Sequence, residues 1–311
     1  MTFLRSLWHK SKLYKSFQNF VEAKTENVIR KVEARIKADV LYDIWDSLPD
    51  FKIEKFSKKI DNNIKLNFYL DSHLSKLIFG GDFEKDEITF LKKYLRKGDV
   101  FIDVGANIGL FSLIASSVIG ETGRVISFEP TSKTFNRFLE NIQINHFSNI
   151  EAHQVAISNT IGEAKLNIAS DGFDAWNSLG IPSAGKVIEN ETVKTYTLDS
   201  FFKTKKEIEK ISLIKIDVEG WEIPVIEGAV KLCSKLDAPN LIVEFTDSNA
   251  INCGYSCTDL YNLLVEYGYK LYTYDDASNN LVNEEIRESY PCINIIATKK
   301  SGFILNRLNA L

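Results

Sequence analysis

The chain has 311 residues, about twice the ~150 of a one-domain prior, so one large domain with an appendage fits as well as two domains. With 44% hydrophobic and 26% charged residues and no Gly-, Pro- or Ser-dominated stretch, the composition excludes disordered and fibrous classes. The net charge of −4 lacks the positive field that nonspecific nucleic-acid binding requires, so no nucleic-acid partner is expected.

No apolar run reaches the ~18 residues of a membrane span, and the first residues carry no apolar signal core, so a cytoplasmic location is expected. Cys233, Cys253, Cys257 and Cys292 form no CxxC pair and read as free packing thiols.

Along the chain, residues 1–20 carry Arg5, Lys10, Lys12 and Lys15 among Phe3, Leu4, Leu7, Trp8, Leu13 and Phe17. This is a basic amphipathic helix, suited to an anionic membrane surface, to a partner or to its own domain. Charge-mixed helical sequence continues to Trp45, and Pro49-Asp50 punctuates it. Residues 1–60 therefore read as a helical extension preceding an α/β domain over 61–311.

Alternation at Ile64, Leu66, Phe68 and Leu70 predicts a half-buried strand, and Asp82–Leu95 a helix. A strict rhythm follows: strand Val100–Val104, helix Leu110–Ile119, strand Val125–Phe128, helix Phe135–Asn145, strand Ile150–Ile157. Such βαβαβ order implies a parallel sheet covered by helices on both faces.

About residues 160–206 the rhythm breaks. Alternating segments Ala164–Ile168 and Val193–Leu198 flank the polar stretch Ser170–Gly185, the pattern of an inserted hairpin or lid. Strand Leu213–Ile216, helix Ile223–Cys233, strand Leu241–Phe245, helix Thr258–Tyr267 and strands Lys270–Tyr274 and Ile293–Thr298 complete the domain.

Three segments carry chemistry. In Asp103-Val104-Gly105-Ala106-Asn107-Ile108-Gly109 an acid and a glycine turn join a buried strand to a helix, where a backbone can approach a ligand closely. The spacing departs from GxGxxG. Val125–Phe128 then ends in Glu129-Pro130, and Glu129 lies about twenty residues beyond Gly109, where an acid accepts hydrogen bonds from ribose hydroxyls.

Finally, Asp217-Val218-Glu219-Gly220 follows the strand that sheet topology places beside Val100–Val104. Asp217 is the first candidate for orienting and deprotonating a hydroxyl, Glu219 the second and His153 the third, although Asp217 and Glu219 also suit helix capping. Asp171–Ser178, with Asp174, Trp176 and Asn177, offers the aromatic and polar groups that hold a sugar. Glu244 ends a strand at the same crevice. With Asp217 it supplies two oxygen ligands, too sparse a set for a metal site, and no metal is expected.

DVGANIG, SFEP, Ala156-Ile157-Ser158, Asn177-Ser178-Leu179, Thr197-Leu198-Asp199 and Lys215-Ile216-Asp217-Val218-Glu219-Gly220 together resemble the FkbM-type family of S-adenosylmethionine-dependent methyltransferases over roughly residues 80 to 250. The resemblance implies a Rossmann-like fold with a seven-stranded sheet whose last strand is antiparallel. It also implies O-methylation of a hydroxyl on a sugar, glycan or glycolipid acceptor.

Carried onto this chain, Asp103, Gly105, Ala106, Asn107 and Gly109 surround the methionine part of the cofactor, with Asp103 serving its ammonium group directly or through water. Glu129 holds the ribose, Pro130 shapes the adenine wall, and the main chain at Val155 and Ala156 meets the adenine edge. Two other readings stand beside this one. A nicotinamide dehydrogenase is disfavoured by the missing GxGxxG, and a non-catalytic adaptor of methyltransferase fold would dock through residues 1–45.

Overall fold

A computed structural model describes residues 37–61, 64–81, 83–169, 177–181, 186–203, 205 and 210–310. The basic segment 1–20, Asp174 and Trp176 lie outside these residues. The chain divides into two units, one from residues 37–53 with 76–83, the other from 54–75 with the rest. In the first, helix α1 (37–47) carries Trp45, whose ring meets Phe79 at 5.5 Å, and Asp46, which pairs with Lys76 at 2.5 Å.

The larger unit opens with strands β1 (Lys55–Asp61) and β2 (Ile64–Tyr69), paired antiparallel. β1 lies inside the stretch that patterning assigns to the helical extension. Its sequence KFSKKID is charged and mostly exposed, so neither an apolar period nor a turn signal marks it. β2 is buried at Ile64, Leu66, Asn67, Phe68 and Tyr69, on both faces rather than on one.

After α2 (His73–Gly80) and α3 (Lys85–Tyr94) come β3 (Val100–Val104), α4 (Leu110–Ile119), β4 (Arg124–Phe128), α5 (Ser132–Asn145) and β5 (Ile150–His153). α5 buries Thr134, Arg137, Phe138 and Asn141, one stripe at helical spacing. Asn141 ties two neighbours to that stripe, accepting from the Asn67 amide at 2.8 Å and donating to the Ile108 carbonyl at 2.9 Å.

The expected strand Ile150–Ile157 is two strands. β5 pairs with β4 up to His153, whereas β6 (Ala156–Ile157) joins the insertion. There β7 (Gly162–Ala169) and β8 (Val187–Tyr196) form the antiparallel hairpin, and β6-β8-β7 is a separate sheet. α6 (Leu198–Phe202) begins where strand was expected to continue, because Thr197 and Ser200 cap it reciprocally.

β9 (Leu213–Ile216) is followed by α7 (Glu222–Glu227) and α8 (Val230–Cys233), a pair where one helix was expected. The break falls at Gly228, where any side chain would overlap the Ser158 carbonyl that packs there. β10 (Asn240–Phe245), α9 (Asp247–Asn252), α10 (Cys257–Glu266), β11 (Lys270–Asp275), β12 (Asn280–Asn283), β13 (Ile293–Thr298) and α11 (Ser301–Asn309) complete the chain.

The main sheet has the order β12-β11-β13-β10-β9-β3-β4-β5. β5, β4, β3, β9 and β10 are parallel, and β13 runs antiparallel between β10 and β11. This is the expected seven-stranded sheet, extended by an eighth edge strand, β12, that hairpins onto β11. The carboxyl ends of β3, β4, β9 and β10 share one edge, and the chemistry-bearing segments all leave the sheet there.

Candidate active site

The loop after β3 folds back on the sheet: the N–H groups of Gly105 and Ala106 both donate to the Phe128 carbonyl at 3.0 Å. Gly105 (φ +87°) and Gly109 (φ +91°) adopt left-handed backbone. A side chain at Gly105 would overlap the Asp217 carbonyl, and one at Gly109 the Phe138 ring. Glycine is thus required here by packing of the loop on β9 and α5, which fixes where any ligand-facing backbone lies.

Glu129 is buried at the end of β4. One carboxylate oxygen accepts the Asn107 N–H at 3.0 Å and the other the Thr131 N–H at 2.9 Å, so the group bridges the two loops expected to hold a nucleoside. A carboxylate accepts at both oxygens, the chemistry that a pair of ribose hydroxyls calls for.

Asp103 does not face the loop. It is only 1% exposed, and its carboxylate accepts the Ser112 hydroxyl at 2.5 Å beneath α4; Ser112 in turn shares a hydrogen bond with Ser127 at 2.7 Å. Burial pushes its pKa up. Of the two ways in which the resemblance lets Asp103 serve a cofactor ammonium, directly or through water, this orientation suits the second.

At the ends of β9 and β10, Asp217, Glu219 and Glu244 bring carboxylate oxygens within 4.8 Å of one another. The pair Asp217 and Glu244 becomes a trio because Glu219, at φ +54°, turns back toward the sheet. Asn249 on α9 donates to Glu219 at 2.6 Å, and the Cys292 thiol lies 3.4 Å from Glu244 Oε1. Burial, and after it the neighbouring carboxylates, hold Glu219 and Glu244 well above the ordinary glutamate range. Chemically the trio can take a proton or hold a divalent cation through oxygen.

The organising cation is Lys215, 3% exposed in β9. It donates to Asp217 Oδ2 at 2.5 Å, lies 3.7 Å from Glu84 Oε2 and sits 4.4 Å from the centre of the Phe111 ring. Burial alone would depress its pKa, but the charges of Asp217, Glu84 and Asp103 overcome this and raise it. Sequence reasoning assigned no role to Lys215, Glu84, Glu222 or Asn249. The available signal was a lysine inside the apolar run Leu213–Ile216.

Neither Asp217 nor Glu219 caps α7. Glu222 takes the N–H groups of Val218 (3.1 Å) and Gly220 (3.3 Å) instead. Burial raises Glu222 and Glu84 from 4.5 to about 7. A carboxyl whose pKa is higher folded than unfolded binds more protons in the native state, so stability falls as pH rises from about 4.5 to about 7, by up to ~1.4 kcal/mol per pH unit and group. In thermal denaturation at pH 5 and 7.5, the Glu84→Gln/Glu222→Gln double variant is expected to lose less stability on going to the higher pH than the parent. An equal loss in both would refute this origin.

His153 ends β5, two strands beyond β3 and three from β9, about 14 Å from the trio at ordinary strand spacing. It is held by Glu151 at 2.8 Å, and its ring stacks on Phe128. Burial lowers its pKa. The structure therefore places His153 away from the carboxylates and next to Glu129, whose N–H its carbonyl accepts at 3.1 Å.

Pro130, Val155 and Ala156 follow β4 and β5 at the same edge, Val155 partly buried and Ala156 paired with Thr195. Asn177 accepts the Ala169 N–H at 2.9 Å, and its neighbour Ser178 donates to the Glu219 carbonyl at 2.8 Å, tying the insertion to the DVEG turn. All four cysteines are free, and no helix among the described residues is long and apolar enough to cross a membrane.

Sheet order, a packed glycine loop after β3 and an acid after β4 define the Rossmann-like methyltransferase fold. The chain belongs to the Methyltransferase FkbM domain family, whose profile matches residues 103–271.

Among curated relatives, "Methyltransferase 1" of Beauveria bassiana is 26% identical over 47% of this chain and 64% of its own. The "Hexuronic acid methyltransferase AglP" of Haloferax volcanii is 28% identical over 59% of this chain and 68% of its own. A crystal structure of methyltransferase FkbM from Methylobacillus flagellatus aligns with TM-score 0.41 and 16% identity over 66% of this chain and 44% of the other. The chain thus spans less than two thirds of the Beauveria relative.

Proposed function

We propose that the protein is an S-adenosylmethionine-dependent O-methyltransferase acting on a hydroxyl of a sugar, glycan or lipid-linked glycoside. One observation carries this reading: Gly105 packs against the Asp217 carbonyl, so the loop joined to Glu129 and the carboxylate trio border one crevice. The Haloferax relative's name supports the sugar class of acceptor, since a hexuronic acid is a sugar derivative.

In this reading Glu129 accepts the ribose hydroxyls, and the main chain of Gly105, Ala106, Asn107 and Gly109 borders the methionine part. Pro130, Val155 and Ala156 form the adenine wall. When bound, S-adenosylmethionine supplies a methyl group on a sulfonium, which needs no phosphate-binding cluster.

The residues of the chain then have two tasks, to align the acceptor oxygen and to accept its proton as the C–O bond forms and the C–S bond breaks. Lys215 fixes Asp217 for the second task. Glu219 and Glu244, whose pKa burial raises, border the acceptor, and Asn177 reaches it from the insertion that Ser178 ties to the Glu219 carbonyl.

Calorimetric titration with S-adenosylmethionine and its demethylated product tests the cofactor. Glu129→Ala removes charge-assisted hydrogen bonds and is expected to weaken binding by about 1.5–3 kcal/mol, roughly tenfold or more. Unchanged affinity in a folded variant would remove Glu129 from the site.

A further inference from the structure

On the α3 side of the sheet, a cavity of about 270 Å³ opens between the start of α3, the end of β11 and the start of β13. Asp86, Glu87, Thr273, Tyr274, Cys292 and Asn294 line it, with Phe90 and Ile242 as apolar wall. Apart from Cys292, which lies against Glu244, none of these groups belongs to the site described above, yet the cavity adjoins it. Cys292 touches Glu244, and Asn294 faces Glu244 across the β10–β13 register.

Its charged side chains are of one sign. Asn294 donates its amide N–H to Glu84 at 3.2 Å, and its Oδ1 is buried without a hydrogen-bond partner. The Tyr274 hydroxyl is engaged, donating to Asn279 at 2.9 Å and accepting from Lys93 at 3.1 Å. Asp86 and Glu87 add two carboxyl groups, and neither Lys nor Arg lines the space.

A ligand that suits this lining carries no negative charge, because like charges repel, and its hydroxyl or ammonium donors meet the carboxyl groups of Asp86 and Glu87. The volume lies just below the ~300–1,000 Å³ of pockets for drug-sized molecules, which limits the occupant to about one ring.

We propose that this cavity is the acceptor subsite and takes a single sugar ring bearing hydroxyl or ammonium donors and no carboxylate or phosphate. The proposal rests on the methyltransferase reading and deepens it. It also separates this chain from the Haloferax relative, whose name specifies a hexuronic acid.

Saturation-transfer NMR on the full chain with the demethylated cofactor product tests it, using methyl glucoside, glucosamine and glucuronate as probes. Saturation is expected on the glucoside or glucosamine, at least fivefold weaker on glucuronate, and lost in Thr273→Trp, which fills the cavity. Glu87→Lys is expected to shift preference toward glucuronate. It decides alone should Thr273→Trp fail to fold, as read by thermal denaturation.

Strongest transfer to glucuronate, transfer that survives the filled cavity, or no transfer to any probe would overturn the proposal. Calorimetry with S-adenosylmethionine is read separately. Loss of cofactor binding would count against the methyltransferase reading, whereas intact cofactor binding without these sugar signals would count against the cavity alone.

Discussion

Asp217→Asn is expected to lower turnover by about 10²–10⁴-fold, the range for removing a positioned general base, while cofactor affinity stays within a factor of about two. Asparagine keeps the shape and can still accept from Lys215, so the β9 end stays in place and only the capacity to take a proton is lost. The effect depends on the trio's division of labour. Glu219 and Glu244 are pushed by burial toward holding their protons, and Asp217 is the member paired with a buried cation. Glu244→Gln, which keeps a donor at that position, is accordingly expected to raise KM more than it lowers kcat. Steady-state kinetics on both variants check the split, and an Asp217→Asn enzyme that turns over at the parental rate would take Asp217 out of the mechanism.

The elements that patterning placed without error, β3, α4, β9 and β13, are apolar runs bounded by Gly, Asp or Lys, where burial and local turn chemistry agree. β1 escaped because Phe56 and Ile60 are the two large apolar side chains of KFSKKID and lie four residues apart among charges, and β12 because its hairpin turn at Asn279 lies in an exposed edge. Continuous apolarity also hid two interruptions: β5 and β6 read as one strand, and α7 and α8 as one helix, since the causes are a change of pairing partner and a carbonyl packed on Gly228.

In the site, acids at strand ends were legible because the parallel topology sends them all to one edge. What they touch was not. Glu84 reaches Lys215 from the start of α3, and Asn249 reaches Glu219 from α9, contacts made by tertiary packing with no local sequence pattern. The inward turn of Asp103 toward Ser112 has the same origin: residue 103 lies in the strand itself, two positions before the loop opens at Gly105, and its side chain faces α4.

Lys215→Met is expected to destabilise the protein by about 3–5 kcal/mol, because it keeps the volume but leaves buried carboxylates without their counter-charge. Asp217, Glu84 and Asp103 all act on this one ammonium, and Asp217 loses its hydrogen bond outright. The Phe111 ring, over which the ammonium sits, gains nothing electrostatic from a thioether in exchange. The sign of the pH effect follows. Once Lys215 is gone the carboxyls favour their neutral forms more strongly in the folded state, so the deficit is smaller at pH 5, where protons are supplied cheaply, than at pH 7.5. Urea unfolding at both pH values measures it. Adding Glu84→Gln to Lys215→Met removes one of the uncompensated acids and is expected to recover part of the loss at pH 7.5. A double variant no more stable than Lys215→Met would mean that Glu84 already carries its proton beside Lys215, and that the lysine's stabilising work is done through Asp217 and Asp103.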